Sequence, residues 1–223
     1  MPMKKTISKE AINQLPVAQY EGEVIIVDTP EKIEEAVKDI VRYKIIGFDT
    51  ETRPSFKKGV SYNVSLLQLA TADKVYLFRL KKIGFEQSVL ALLANPEIVK
   101  VGVAVKDDMA AINKCHPVLP AAFVDLQSYV AQFKIEDKSL QKIYAIVFGK
   151  KIRKNERLSN WEAEKLTQKQ IIYAATDAWA CVELWYELEK RRKRREAYQR
   201  RKARKAAEAQ TAFPQDRNQE KKD

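Results

Sequence analysis

Three short acidic signatures in this chain of 223 residues have the spacing of cooperating carboxylates. The first is Asp49-Thr50-Glu51, which follows the apolar run Ile45-Ile46-Gly47-Phe48. If that run is a strand, residues i and i+2 share a face, so the two carboxylates lie side by side. Such a pair repels unless a cation sits between its members. Mg²⁺ and Mn²⁺ prefer oxygen donors and suit it. In a chain with 30 acidic residues an Asp-x-Glu is weak evidence alone. The second signature is Val101-Gly102-Val103-Ala104-Val105-Lys106-Asp107-Asp108, another apolar strand running into acid where a helix begins. Asp107 reads as the helix cap and Asp108 as lying one step into the first turn. The third is Tyr173-Ala174-Ala175-Thr176-Asp177, in which Tyr and Asp at i and i+4 share one helix face. Ala178, Trp179, Ala180 and Cys181 follow, so this helix reads as buried nearly all round. A buried aspartate needs a partner, and a metal ion is a good one.

The rest of the sequence narrows the chemistry. The only histidine, His116, stands beside Cys115 with no further ligand nearby, and reads as a loop residue. Cys115 and Cys181 match no metal-ligand spacing and read as reduced and structural. This removes most zinc-hydrolase and Ser-His-Asp possibilities. A Gly-rich phosphate loop, a nucleophile elbow and a dinucleotide fingerprint are all absent.

The elements that must position these acids follow from the apolar pattern. Strands are expected at Val24–Val27, Ile45–Phe48, Val64–Ala70, Val75–Phe78, Ile98–Val105 and Ala121–Val124, the third and fourth forming a hairpin. Thr29-Pro30-Glu31 starts a helix that runs to about Tyr43. Further helices are expected at Phe85–Leu93, from Asp108 to Ile112, at Leu126–Phe133 and at Leu140–Phe148. Thr167 caps a last helix, with Gln170 completing a capping box and Leu166 stapling to Ile171. Strands first and helices later imply a central mixed sheet flanked by helices.

The formal net charge is +11, and residues 190–223 carry +9 of it, with fourteen Lys or Arg against five Asp or Glu. Basic tails usually meet polyanions, nucleic acid above all. Lys190 to Lys205 holds eleven basic residues and one acid, with no glycine or proline before Pro214. The last helix can therefore continue outward, spanning about 60 Å by residue 209 at ~1.5 Å per residue. No run approaches the ~18 apolar residues of a membrane span. The basic start is followed by no apolar stretch, so a cytoplasmic protein without membrane partners is expected. Residues 1–21 read as an N-terminal arm, 22–189 as the enzyme domain and 190–223 as a basic C-terminal tail, helical or disordered.

Taken in order, these signatures resemble the DEDD exonuclease superfamily, in the branch that includes ribonuclease D and the exonuclease domain of the Werner syndrome helicase. The residues carrying the resemblance are Phe48-Asp49-Thr50-Glu51-Thr52, Ser65-Leu66-Leu67-Gln68-Leu69, Lys100-Val101-Gly102-Val103 leading to Asp108, Ser159-Asn160-Trp161, and Leu166-Thr167 with Tyr173-Ala174-Ala175-Thr176-Asp177-Ala178. The resemblance covers roughly residues 22 to 189. It implies an α/β, ribonuclease H-like fold with a five-stranded mixed sheet flanked by helices. It implies two divalent ions, Mg²⁺ or Mn²⁺, held by Asp49, Glu51, Asp108 and Asp177, with Asp49 bridging. Tyr173 places the chain in the tyrosine subfamily and would orient the attacking water, while Thr52 would contact the terminal nucleotide. The implied activity is release of nucleoside 5′-monophosphates from DNA or RNA 3′ ends, DNA slightly ahead of RNA. A separate helicase is a possible partner. The alternatives are an RNA 3′-end trimming enzyme like ribonuclease D, or a nucleic-acid-binding module that has lost catalysis. The sequence departs from its relatives at Glu162-Ala163-Glu164-Lys165, where a basic residue and proline usually precede the leucine.

Overall fold

In the computed structural model, which describes residues 3–211, β-branched and aromatic residues build six strands in one mixed sheet. A short helix α1 (Lys9–Asn13), capped by the Ser8 hydroxyl, precedes β1 (Glu23–Val27). Helix α2 (Pro30–Ile40) has proline in its first turn and buries Ile33, Ala36 and Ile40. Then come β2 (Ile45–Thr52), β3 (Val64–Ala70) and β4 (Lys74–Phe78). The β3–β4 turn is closed by the Thr71 amide, which donates to the Lys74 carbonyl at 2.8 Å. Two short helices, α3 (Leu80–Ile83) and α4 (Gln87–Ala94), lead to β5 (Val99–Gly102). Helix α5 (Val105–Asn113), β6 (Phe123–Asp125), α6 (Leu126–Tyr129) with a 3₁₀ turn at Val130–Phe133, α7 (Leu140–Phe148) and α8 (Gln168–Thr211) complete the chain.

The sheet order is β1-β4-β3-β2-β5-β6. β3 pairs antiparallel with β2 and β4, and the other neighbours are parallel. The resemblance implied five strands. The sixth is β6, three residues long and joined to β5 alone. Helices cover both faces. Ile46 and Phe48 of β2 and Leu67 and Leu69 of β3 pack with α2, α4 and α5. Leu66 and Ala70 of β3 pack with Ala174, Ala175 and Ala178 of α8. The period of two therefore sends Ile46, Phe48 and Thr50 toward α5, and Gly47, Asp49 and Glu51 toward α8.

Several boundaries differ from the sequence reading, most consequentially around Asp108. β5 ends at Gly102 rather than Val105, and α5 begins three residues before Asp108. Asp107 is consequently an exposed residue of the first turn and not the cap; that place belongs to Ala104, in the left-handed region at φ 59°. Residues 1–20, which show no clear period, hold α1 and a bridge between Val17 and Lys151. The capping box forms as expected: the Gln170 amide donates to Thr167 Oγ1 at 3.3 Å, and the Thr167 amide to Gln170 Oε1 at 2.9 Å.

The chain divides into two units, Met1–Trp185 and Tyr186–Asp223. In the described part of the second, Arg192 pairs with Glu189 and Glu196, and Arg204 with Glu208, all at helical i, i+3 or i, i+4 spacing. Among the described residues no helix is long and apolar enough to cross a membrane.

Candidate active site

Small residues set the distance between β2 and α8. A Cβ placed on Gly47 would lie 2.0 Å from the Ala178 carbonyl oxygen, so only glycine lets the helix backbone rest on the strand there. Ala174, Ala175 and Ala178 keep the facing side of α8 equally thin. Two residues beyond Gly47 on the same face, Asp49 meets Asp177, the neighbour of Ala178. On the other side of β2, a Cβ on Gly102 would approach the Phe48 carbonyl oxygen to 2.8 Å, which holds the end of β5 against β2.

The result is a half-buried group in which oxygens of Asp49, Glu51 and Asp177 all lie within 4.8 Å of one another. Tyr173, one turn before Asp177, bears on that carboxylate with its hydroxyl. Asp108 stands apart from the three. Its Oδ1 accepts a 2.6 Å hydrogen bond from Thr50 Oγ1, so the residue between Asp49 and Glu51 reaches the other sheet face and ties the start of α5 to the same strand. Thr52, half-buried, pairs with Val64 across the register shift that ends β2.

The electrostatics are those of carboxylates crowded without a counterion. Burial, then the charges of Asp177, Asp108 and Glu51, push Asp49 well above the usual carboxylate range. Burial followed by Asp177 and Asp108 raises Glu51 to about 9, with Arg157 pulling the other way. Burial takes Asp177 to about 7 against the opposing pull of Tyr173 and Lys154. Burial also takes Asp108 to about 6, although the Thr50 hydrogen bond opposes the rise and Asp107 and Asp125 add to it. Beside Asp49 in register lies Gln68 of β3, fully buried, and neither atom of its side-chain amide has a partner among the described residues.

These donors fit a hard divalent cation. They are oxygens only, they come from three elements, and their charges oppose one another until positive charge enters. Asp49, Glu51 and Asp177 could hold one ion directly, with Asp108 reaching the neighbourhood from α5.

The structure adds residues that the sequence reading passed over. Lys154 and Arg157, on the segment between α7 and α8, are cations facing the acids, and Lys150, Lys151 and Arg153 share that segment. A basic run in a loop ordinarily reads as solvated surface, and only the concentration of charge there could have marked it. The departure at 162–165 is also accounted for. Glu162 pairs with Arg53 at 3.3 Å and Glu164 with Lys82 at 2.7 Å, while the Ala163 carbonyl accepts from the buried Arg79. The segment is fastened by its own acids.

Residues 24–193 match the 3'-5' exonuclease family. The chain is similar to an exonuclease mut-7 homolog of Aedes aegypti, 29% identical over 76% of this chain and 27% of the relative. It is 35% identical to the bifunctional 3'-5' exonuclease/ATP-dependent helicase WRN of Mus musculus over 65% of this chain and 11% of that protein. The chain thus spans about a quarter of the first of these relatives and about a ninth of the second. Among solved structures, the Aedes aegypti Nibbler EXO domain superposes with a TM-score of 0.70 at 28% identity, covering 78% of this chain and 92% of that one. Escherichia coli RNase D shares the fold, with a TM-score of 0.65 at 22% identity over 75% of this chain and 46% of that one.

Proposed function

We propose, on the premise that this chain belongs to the 3'-5' exonuclease family, that it removes nucleoside 5′-monophosphates one at a time from nucleic-acid 3′ ends. The observation that carries this reading is the convergence of Asp49, Glu51 and Asp177 within 4.8 Å, with Tyr173 one turn from Asp177. In this reading Asp49, Glu51 and Asp177 would hold one divalent ion, and Asp108, together with Asp49, would serve a second. Mg²⁺ or Mn²⁺, when bound, supplies the positive charge that draws in the phosphodiester and offsets the charge growing on it.

The chain's own residues supply position. Tyr173 is pushed above the ordinary phenol range by burial, then by Asp177, Glu51 and Asp49. It therefore stays protonated at neutral pH and orients the attacking water as a hydrogen-bonding partner rather than deprotonating it. The water oxygen attacks the terminal phosphorus and the bond to the 3′ oxygen breaks. That oxygen takes a proton and becomes the new 3′-hydroxyl. Lys154 and Arg157 face the acids and meet phosphate oxygens as they arrive. Thr52, at the strand end beside Glu51, contacts the terminal nucleotide. The free thiols Cys115 and Cys181 suit a reducing, cytoplasmic setting. In this reading DNA stands slightly ahead of RNA as substrate, and a separate helicase could supply the ends.

The test is digestion of matched 5′-labelled DNA and RNA, single- and double-stranded. We expect a ladder shortening from the 3′ end, loss of activity in EDTA and recovery with Mg²⁺ or Mn²⁺. Asp49→Asn should lose several orders of magnitude while staying folded. Full activity in EDTA would overturn the metal-dependent reading.

A further inference from the structure

Strand β3 carries one long polar side chain, Gln68, in the run Ser65-Leu66-Leu67-Gln68-Leu69. Every residue of β3 is buried, because the strand lies between β2 and β4 with helices on both faces. An amide is costly in such a place unless it is bonded, and leucine would fill it freely. Yet Gln68 is 0% exposed, and neither its Oε1 nor its Nε2 has a partner among the described residues. Its register neighbours are Asp49 on β2 and Leu77 on β4. Residues opposite each other in an antiparallel pair project to the same face, with Cβ atoms about 4.5–5.5 Å apart. Gln68 therefore rises beside Asp49 on the face covered by α8.

The buried core on that face is almost all alkyl, with Leu66, Leu77 and Ala174 among its members, and Trp161 alone there has a polar side-chain atom. Trp161 Nε1 is also buried and without a partner among the described residues. The segment holding the ring is pinned on both sides. The Asn160 carbonyl accepts from Gln170 Nε2 at 3.2 Å, and the Ala163 carbonyl accepts from Arg79. The ring centroid lies 6.0 Å from that of Tyr173. The hydrogen-bonding capacities of Asp49, Gln68 and Trp161 match in one way only. An ionised carboxylate only accepts, an indole N–H only donates, and an amide does one of each. Gln68 Nε2 must then face Asp49 and Oε1 face Trp161. The opposite orientation sets oxygen against carboxylate and N–H against N–H.

We propose that Gln68 is a positioning residue of the metal site. Its Nε2 donates to the Asp49 carboxylate and its Oε1 accepts from Trp161 Nε1, which together fix the direction in which Asp49 presents its oxygens to a divalent ion. Trp161 thereby serves both halves of the site, with its ring against Tyr173 and its N–H toward Gln68. Partners that hold a metal-binding side chain in this way are worth about tenfold to a hundredfold in metal affinity. The proposal rests on the metal-dependent exonuclease reading above.

The experiment measures Mn²⁺ binding to the full chain by electron paramagnetic resonance of the free ion, with no nucleic acid present. Gln68→Met keeps the length of the side chain and removes both polar atoms. It is expected to weaken Mn²⁺ binding about tenfold to a hundredfold. Its melting temperature in EDTA should stay the same or rise, because a buried unpaired amide has been removed. Trp161→Phe keeps a ring and should lose a smaller factor in the same direction. The double variant should bind Mn²⁺ no more weakly than Gln68→Met alone, since Trp161 acts on Asp49 only through the amide. In turnover, the losses should shrink as Mn²⁺ is raised toward saturation. If the wild type binds Mn²⁺ and digests a labelled strand but Gln68→Met binds the ion equally well, or the two single losses multiply, the positioning role is wrong and the exonuclease reading stands. If the wild type neither binds Mn²⁺ nor digests the strand, that reading fails and the proposal falls with it. Should Gln68→Met not fold, the wild type decides. The Trp161 indole proton, one of three in the chain, is expected to shift in the NMR spectrum as Mg²⁺ is added, and an unmoved signal overturns the proposal.

Discussion

At the scale of single residues, the placement of Tyr173 and Asp177 on one helix face gives two separable roles. In the proposed mechanism Asp177 would bring charge to the group that would hold metal, and Tyr173 would bring direction to the water. Tyr173→Phe keeps the ring and removes the hydroxyl, so the loss should be on the order of the 10²–10⁴ typical of a positioned proton-handling group, or somewhat less. Asp177→Asn should lose more, because a cation loses a charged donor. Single-turnover rates with saturating metal would measure both, and the reverse order would exchange the assigned roles. The same crowding predicts how the metal-free protein behaves with pH. Glu51, Asp177 and Asp108 are raised to about 9, 7 and 6, and Asp49 is raised as well. Unfolded, these groups titrate near 4. Between those limits the folded state holds protons that the unfolded state has released, so stability is greatest at the acid end and declines as pH rises. Melting in EDTA should therefore occur at lower temperature at pH 8.5 than at pH 5.5. Mg²⁺ or Mn²⁺ should raise the melting temperature more at the higher pH, and Asp49→Asn should flatten the slope. A metal-free protein that gains stability from pH 5.5 to 8.5 would contradict this account.

At the scale of elements, the site depends on how closely α8 lies on β2. Gly47→Ala would put a methyl group 2.0 Å from a backbone oxygen that cannot rotate away, so strand and helix must separate. Overpacking of this kind costs about 1–3 kcal/mol. The shift should also open the Asp49–Asp177 distance, so melting temperature and turnover should fall together; an unchanged melting temperature would show that α8 yields without strain. Much of this layer is legible in the sequence. Apolar runs ending in acid mark β2 and β5, and Thr167 with Gln170 marks the start of α8. The period of two correctly puts Asp49 and Glu51 on one face. What the sequence hides is tertiary. Asp107 looks like a cap because nothing in an alanine announces the left-handed backbone that starts α5 at Val105. Thr50 looks like a spacer between two acids until the second sheet face brings Asp108 to its hydroxyl. Lys154 and Arg157 look like surface charge until the segment carrying them is folded against the acids. Phe56 and Leu158, more than a hundred residues apart, line one cleft beside Arg53, which pairs with Glu162.

At the scale of the whole molecule, we propose residues 22–189 as the catalytic domain, 1–21 as an arm and 190–223 as a basic tail serving the substrate rather than the chemistry. Helix α8 reaches Thr211, so the described part of the tail is helical. There Glu196 and Glu208, and Glu189 just before the tail, are engaged with arginines at helical spacing. Lys193, Arg194, Arg200, Arg201 and Lys202 are exposed and pair with no acid among the described residues. Positive charge displayed along a helix, with almost no apolar surface, attracts polyanions over a distance without recognising sequence. Each phosphate neutralised on a single strand contributes about −0.7 to the slope of log affinity against log salt. Removing residues 190–223, or changing Lys193, Arg194, Arg200, Arg201 and Lys202 to Gln in the full chain, should weaken binding of a labelled strand at low salt and flatten that slope. Turnover at saturating substrate should change little, because neither change touches the acids or Tyr173. The full-length Gln variant separates charge from any effect of truncation on the fold. If affinity and slope are the same in all three proteins across several salt concentrations, the tail binds no substrate, and substrate attraction belongs to the cations around the catalytic group.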